Sequence, residues 1–160
     1  MRLRRLFLLL ACGLSSCHAS TSPDLAPLVG DWAAAPTLNR DGTTYVNTQS
    51  FRADHSYVRT WQDYGPSGTP RGDLLAYVTI EGTFTVRGDS LFLRSAIERS
   101  WSRDFFGGAV TVSAVDNTRS CGGGGARFEI IAATLILHYL SCPADAPVET
   151  SETLYRTQGI

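Results

Sequence analysis

The strongest pattern in the chain is the alternation of apolar and polar residues with a period of two. Phe84 and Val86 alternate with polar neighbours, and Leu91 and Leu93 continue the alternation beyond Gly88-Asp89. Glycine and aspartate favour a tight turn at this point because both tolerate a positive φ. The stretch therefore predicts a β-hairpin in which Val86 faces Leu91 and Phe84 faces Leu93.

A second hairpin with the same arrangement is predicted 44 positions further along the chain. Phe128 and Ile130 come before Ala132-Ala133, and Leu135 and Leu137 come after it. If the two alanines form the loop, Phe128 faces Leu137 on the returning strand. The repeated unit indicates antiparallel strands that are neighbours along the chain.

Short strands separated by turn signals continue through most of the chain, and helical periodicity never persists for ten residues. The pattern predicts an all-β fold, as a single antiparallel up-and-down β-barrel of eight or nine strands. A β-sandwich is the alternative, but a barrel is favoured because closure removes exposed strand edges. Gly82 predicts a kink within the strand Leu74–Val86. The predicted main strands are Thr43–Phe51, Ser56–Gln62, Leu74–Val86, Ser90–Trp101, Ala109–Val115, Arg127–Ile131, Thr134–Leu140 and Thr150–Arg156.

The first residues of the chain have the order of an export leader. A basic start is followed by the apolar run Leu6–Ala11, which is too short to span a bilayer as a helix. Leu14-Ser15-Ser16-Cys17 resembles a bacterial lipobox, the motif that closes a lipoprotein signal peptide. The resemblance implies a signal peptide over residues 1–16, and a Cys17 that carries a diacylglyceryl group and acyl chains such as palmitate. The alternative is an ordinary secretory signal in which Cys17 is incidental.

The segment after the leader predicts a lipid-anchored domain. Residues 17–27 are rich in Ser, Thr, Ala and Pro, which is typical of a flexible tether. A folded domain is then expected over residues 28–160. The lipoprotein resemblance implies a membrane attachment in the bacterial cell envelope. His18 stands where an inner-membrane retention signal would have Asp, so the outer membrane, facing the periplasm, is favoured.

Charge and composition exclude several classes of function. Without the three leader arginines, 11 Arg stand against 15 acidic residues, so the basic face of a nucleic-acid-binding protein is not expected. The chain has no Lys, which excludes a Walker phosphate loop and Schiff-base chemistry. The sequence offers no carboxylate pair and no metal-ligand spacing of His and Cys. We therefore predict neither an enzyme nor a bound metal or cofactor.

The opening of the domain adds a family resemblance. Gly30-Asp31-Trp32 resembles the Gly-x-Trp element with which lipocalin-like barrels begin, and it precedes a series of strands as it does there. The resemblance implies that Trp32 closes one end of the barrel and that the protein binds a small apolar or amphipathic molecule. The alternative is a buried Trp at the first strand of some other β-domain.

Aromatic and Arg residues on the predicted strands are candidate ligand contacts. Their aromatic rings could cover the body of an amphiphile and their guanidinium groups its head. The alternative is that large side chains fill the barrel and Arg lies outside. The protein would then bind an envelope protein or inhibit one through its loops, at Asp63–Gly72 and Phe105-Phe106. The candidate ligand contacts are Trp32, Tyr57, Arg59, Trp61, Arg94 and Trp101.

Two cysteines remain after removal of the leader and acylation of Cys17. Cys121 and Cys142 are predicted to form a disulfide, because an exported protein seldom keeps two free thiols. Extension of the second hairpin places Cys142 opposite Gly123. Cys121 lies two residues before Gly123, and glycines 122–125 give the backbone the freedom to span this offset. The bridge would clip the ends of this hairpin together.

Overall fold

The computed structural model describes residues 25–66, 73–104, 108–117, 125–141 and 148–157. Within these ranges the chain forms strands and turns, and no helix is long and apolar enough to cross a bilayer. The strands are β1 (Gly30–Ala33), β2 (Thr37–Leu38), β3 (Thr44–Phe51), β4 (Ser56–Tyr64), β5 (Leu74–Arg87), β6 (Ser90–Ser102), β7 (Thr111–Ala114), β8 (Gly125–Ile131), β9 (Thr134–Ser141) and β10 (Val148–Arg156).

The sheet closes on itself as an antiparallel barrel. Consecutive strands pair as neighbours from β3 to β6 and from β8 to β10, and β8 pairs with β6. The first strand, β1, pairs with both β3 and β10, which closes a ring of eight strands. The short strands β2 and β7 lie outside this ring, on β3 and β6. The predicted all-β barrel is confirmed, and its closure excludes the sandwich.

Both predicted hairpins have the predicted register. Val86 pairs with Leu91 and Phe84 with Leu93, and across the second hairpin Phe128 pairs with Leu137. Gly88 has a φ of 61°, which is the left-handed conformation that glycine adopts without strain. The period-two pattern therefore located both turns to the residue.

The kink predicted at Gly82 coincides with a shift of register between β5 and β6. Glu81 pairs with Ile97 but Gly82 pairs with Ser95, so Ala96 is an extra residue on β6. A Cβ atom on Gly82 would lie 2.2 Å from the carbonyl oxygen of Arg94 and 2.8 Å from Cε1 of Tyr57. Only glycine allows the two backbones to approach this closely.

A compact apolar cluster occupies one part of the barrel interior. The rings of Phe51 and Phe84 meet edge to face with centroids 5.3 Å apart, a favourable aromatic arrangement. Trp32 is fully buried and its indole N–H donates to the carbonyl oxygen of Leu28 at 2.9 Å. The buried members of the cluster are Leu28, Trp32, Phe51, Tyr57, Phe84, Leu91, Leu135, Leu137 and Leu154.

The first and last strands meet at Trp32. Arg156 pairs with Trp32 across β1 and β10, and its guanidinium carbon lies 4.5 Å from the centre of the Trp32 ring. The same guanidinium donates to the carbonyl oxygens of Pro27 and Val29, the latter at 3.2 Å. These contacts fix the closure of the barrel to the turn that precedes β1.

Some sequence predictions differ from the structure or fall outside it. The strand predicted over Ala109–Val115 covers only Thr111–Ala114, and it flanks the ring instead of completing it. The two-residue strand β2 was too short to give an alternating pattern. The loop predicted over Asp63–Gly72 starts later, because Asp63 and Tyr64 belong to β4. Residues 67–72 of that loop lie outside the described residues, as do the positions of the predictions on the leader, Cys17, Phe105-Phe106, Cys121 and Cys142.

Candidate functional site

A cavity of about 230 Å³ lies inside the barrel, next to the junction of β6 and β8. Leucine side chains from β6 and β9 form its apolar wall, and polar side chains from β3, β4 and β10 form another part of its lining. Interior cavities with mainly apolar walls and a few polar groups are typical of small-molecule sites. The residues that define the two parts are Leu91, Leu93, Leu137, Gln49, Arg59 and Glu152.

Glu152 is the centre of the polar lining. Its Oε2 accepts a hydrogen bond from Gln49 Nε2 at 3.0 Å and another from Arg59 Nη2 at 3.0 Å, and its Oε1 accepts from Asn47 Nδ2. Asn47 and Gln49 point inward from the same face of β3 because they are two residues apart. Arg59 pairs with Gln49 on the adjacent strand and so shares that face. We call these four residues the polar cluster.

The charges within the polar cluster balance each other. The side chains of Arg59 and Glu152 are only 23% and 14% exposed, so either charge alone would be costly to bury. Their ion pair and the two amide donors compensate for much of this cost. The polar cluster therefore contains a strongly hydrogen-bonded carboxylate and has no net charge, and the carboxylate residue Asp116 also lines the cavity.

Three buried atoms of the polar cluster have no hydrogen-bond partner among the residues that the structure describes. They are Asn47 Oδ1, Gln49 Oε1 and Arg59 Nε. The carboxylate of Glu152 only accepts hydrogen bonds, so both amides turn their NH₂ groups toward it and their oxygens away from it. An unsatisfied buried polar group costs about 1–3 kcal/mol. The polar cluster therefore holds two acceptors and one donor that no described residue of the barrel pairs with.

Aromatic side chains flank the polar cluster on β4. The guanidinium carbon of Arg59 lies 4.4 Å from the centre of the Trp61 ring, which is a cation–π contact. Tyr57 is buried on the other side of Arg59, and its hydroxyl lies 2.6 Å from Ser95 Oγ. Burial raises the pKa of Tyr57 because it disfavours the phenolate. The Arg59 guanidinium therefore contacts both the Trp61 ring and the carboxylate of Glu152.

The cavity borders a short junction of the ring, the one between β6 and β8. Among the described residues, three pairs join these strands, whereas eight join β9 and β10. Beyond the junction, the Asn117 side chain takes the place of a strand. Its Oδ1 accepts from the backbone N–H of Ser95 at 3.0 Å, and its Nδ2 donates to the Ser95 carbonyl at 2.6 Å. The segment 115–117, which we call the clasp, also lines the cavity.

Comparison with known proteins does not assign the chain to a family. No protein-family model matches the chain, and no curated protein matches it either. The chain is a closed eight-stranded antiparallel β-barrel. Its architecture is consistent with the lipocalin-like resemblance drawn from Gly30 and Trp32.

The structure places three of the six predicted ligand contacts side by side. Tyr57, Arg59 and Trp61 alternate on the inner face of β4, and Arg59 lines the cavity. Trp32 lies in the apolar cluster. Arg94 and Trp101 are not among the residues that line the cavity. Trp101 instead stacks on Tyr77 with ring centroids 6.0 Å apart.

The outward position of Trp101 follows from the extra residue on β6. Leu91, Leu93 and Ser95 line the cavity, and strict alternation would carry this inward face on to Trp101. Ala96 has no partner in the ladder, so residues beyond it exchange faces. Alternation along the sequence alone cannot reveal such a shift.

Sequence reasoning missed most of the polar cluster. Asn47 and Gln49 lie four and two residues before Phe51, so strand parity placed them on the face of a core residue. Glu152 likewise precedes Leu154 by two residues. The signal in the sequence was therefore a polar residue at an alternating position of the strand whose other members face the core. Its meaning required the barrel, because 103 positions separate Gln49 from Glu152 in the chain.

Proposed function

We propose that the protein is a membrane-anchored envelope lipoprotein whose lipocalin-like barrel binds a small apolar or amphipathic molecule. The cavity beside the polar cluster is the observation that carries the proposal. At about 230 Å³ it is larger than an engineered cavity of roughly 150 Å³ that accommodates benzene, and smaller than sites for drug-sized ligands. The expected ligand is therefore about the size of a substituted benzene ring, with an apolar body against Leu91, Leu93 and Leu137.

The lipid anchor belongs to the same proposal and rests on the sequence. The lipobox resemblance at residues 14–17 supports attachment through Cys17, and His18 supports the outer membrane facing the periplasm. Two or more acyl chains hold a protein firmly at a bilayer, because each buried methylene contributes about 0.8 kcal/mol. A binding barrel at that position would sequester or pass on molecules between membrane and periplasm. The Cys121–Cys142 disulfide is proposed for the same oxidising compartment.

Native mass spectrometry of the protein purified from its own membranes tests this function. We expect a retained small molecule in the unmodified chain. Ala126 lines the cavity, so Ala126→Phe should fill the space and abolish retention. Ala114 is exposed on β7, so Ala114→Phe is the matched control that should leave retention unchanged. Absence of any retained or exchangeable small molecule in the unmodified chain would count against the proposal.

A second candidate function is supported by the outer surface of β6 and β7. Ile97, Val110 and Val112 are large exposed hydrophobic residues, and Val112 pairs with Arg99 next to Trp101. Exposed apolar groups of this kind occur at protein interaction sites. The alternative is therefore a module that binds an envelope protein through this face. Cross-linking at position 112 in intact cells tests it, because a specific adduct is expected only if a partner covers this face.

A further inference from the structure

The strand β7 has one edge that is accessible to another chain. It lies outside the ring of eight strands and, among the residues that the structure describes, it pairs with β6 alone. All four of its residues are exposed, so the rest of the barrel covers neither face of the strand. The edge that points away from β6 therefore faces solvent.

The backbone groups on this edge are those of Val112 and Ala114. Val115 donates its N–H to the carbonyl oxygen of Ala96 on β6 at 3.1 Å, and Ser113 is the next residue of β7 at an alternate position. Residues of an antiparallel strand bond alternately to one side and to the other. Val112 and Ala114 therefore direct their N–H and C=O groups away from β6, and no described residue bonds to these groups.

The segment around β7 has none of the features by which natural edge strands avoid pairing. Such edges usually contain a Lys or another charge, a proline or a bulge. Residues 109–115 are Ala-Val-Thr-Val-Ser-Ala-Val, without charge, proline or glycine. Val110 and Val112 are 51% and 59% exposed, and β-branched residues of this kind favour strand formation. The edge is therefore suited to the addition of a strand.

The same segment is complementary to itself across a two-fold axis. If Val112 lies opposite Val112 of a second copy, then Val110 lies opposite Ala114 in both directions. These three pairs are all apolar, and they would exchange about six backbone hydrogen bonds. On the other face of the sheet, Thr111 would lie opposite Ser113, which pairs hydroxyl with hydroxyl. Because the segment has no charge, two copies would meet without electrostatic repulsion between their edges.

We propose that β7 is a self-association edge, on which a second copy of this chain adds its own β7 in antiparallel orientation. The two barrels then share one continuous sheet, and the exposed Val110 and Val112 of both copies come together. The proposal goes beyond ligand binding in the cavity and does not depend on it. It names a second copy as the partner of the exposed strand.

Disulfide cross-linking in membranes of cells that express the full-length chain tests the register. Val112→Cys should give a dimer on mild oxidation, because opposed residues of a hydrogen-bonded pair have Cα atoms about 5.5 Å apart, within disulfide range. Val110→Cys alone should not link, since its counterpart would lie about 14 Å away, but it should link to a co-expressed Ala114→Cys chain. Val148→Cys, at an exposed valine on β10, is the control and should match the background of the unmodified chain.

An exchange of charge at one position separates pairing from folding. Val112→Lys places two like charges opposite each other and should reduce co-purification of differently tagged copies at least about fivefold, equivalent to about 1 kcal/mol. Val112→Glu should do the same. Co-expression of the Val112→Lys chain with the Val112→Glu chain should restore co-purification, because opposite charges then face each other. Val112 does not line the cavity, so retention of a small molecule should not change in either variant.

The outcomes separate this proposal from the binding function. A cross-link from Val112→Cys to a protein of another mass would overturn the second copy as the partner. Linking of Val110→Cys alone, as efficient as in the mixture with Ala114→Cys, would overturn the two-fold register. If every variant stays monomeric while a small molecule is retained, self-association is wrong and the binding function stands.

Discussion

The barrel interior contains two regions that follow opposite rules. Around Trp32, Phe51 and Phe84, apolar side chains are almost fully buried and pack against one another. Around Gln49 and Glu152, buried polar groups form an ion-paired network beside an open cavity. The first region stabilises the fold through close apolar packing. The second contains buried polar atoms that no described residue pairs with, at a cost in stability.

The comparison indicates where stability and binding are separated in the molecule. The apolar cluster joins the first and last strands, since Trp32 on β1 meets Arg156 on β10. The cavity instead borders the junction of β6 and β8 and is not enclosed by that cluster alone. A barrel that concentrates packing in one region can tolerate unsatisfied polar groups and empty space in another.

The largest expected effect is the loss of a ring from the apolar cluster. Phe84→Ala should lower the free energy of unfolding by about 3–5 kcal/mol, because it leaves a cavity among packed aromatic side chains. Leu93→Ala should cost less, since Leu93 already borders empty space. Urea denaturation followed by tryptophan fluorescence measures both. Phe92→Ala is the control, because Phe92 is exposed on β6, the strand that also holds Leu93. It should cost under about 1 kcal/mol.

A slightly smaller effect is expected at the bulge between β5 and β6. Gly82→Ala should destabilise the barrel by about 2–3 kcal/mol, because the added Cβ would overlap the Arg94 carbonyl and the Tyr57 ring. Thr83→Ala, at the exposed neighbouring position, should be close to neutral. The same urea titration gives both values. A Gly82→Ala variant as stable as the parent chain would contradict the close approach of these two strands.

A double-mutant cycle sharpens the contrast between the two regions. Glu152→Leu should cost about 2 kcal/mol, since it leaves Arg59 largely buried without its carboxylate; the partial exposure of both side chains limits the effect. Adding Arg59→Met should recover most of that loss, because apolar replacements can fill a core as well as an ion pair. The free energies of unfolding of the four chains measure the coupling. Additive losses in the double variant would show that the pair is not coupled.

The clasp is expected to contribute less to stability than the apolar and polar clusters do, and more to the access of molecules to the cavity. Asn117→Ala removes both side-chain hydrogen bonds to the Ser95 backbone and should cost about 1–2 kcal/mol. Hydrogen exchange at the Ser95 amide should accelerate by about tenfold, because its acceptor is lost. Asn39→Ala is the control, since Asn39 bonds Thr43 in an exposed turn away from the cavity. Unchanged exchange at Ser95 would rule out a closing role for Asn117.

The smallest effect concerns pH and the Tyr57 hydroxyl. Tyr57→Phe removes its contact with Ser95 and should cost about 1 kcal/mol at neutral pH. Because the pKa of Tyr57 is raised in the fold, the neutral phenol contributes stability that is fully present below about pH 10, the unfolded value, and is lost above it as the folded group ionises. The unmodified chain should therefore lose stability more steeply above pH 10 than Tyr57→Phe does. Equal slopes would contradict the burial of the hydroxyl.

Local patterns predicted the strands and turns because these depend on neighbouring residues. Alternation placed Phe84 opposite Leu93 and Phe128 opposite Leu137, and both pairs are present. The polar cluster depends instead on strands far apart in the chain, so Glu152 could not be paired with Arg59 from the sequence. The unpaired Ala96 reverses the face of Trp101, and alternation has no signal for such a bulge.

The most direct test of the central claim is methyl NMR of the full-length protein in nanodiscs, with and without toluene. If the cavity binds small molecules, the methyl resonances of Leu91, Leu93 and Leu137 should shift saturably, while those of Leu135 and Leu154 in the packed region should move little. The Ala126→Phe variant should abolish the shifts. Saturable shifts confined to Ile97 and Val112 on the outer face, or no saturable shifts at all, would contradict an interior binding site.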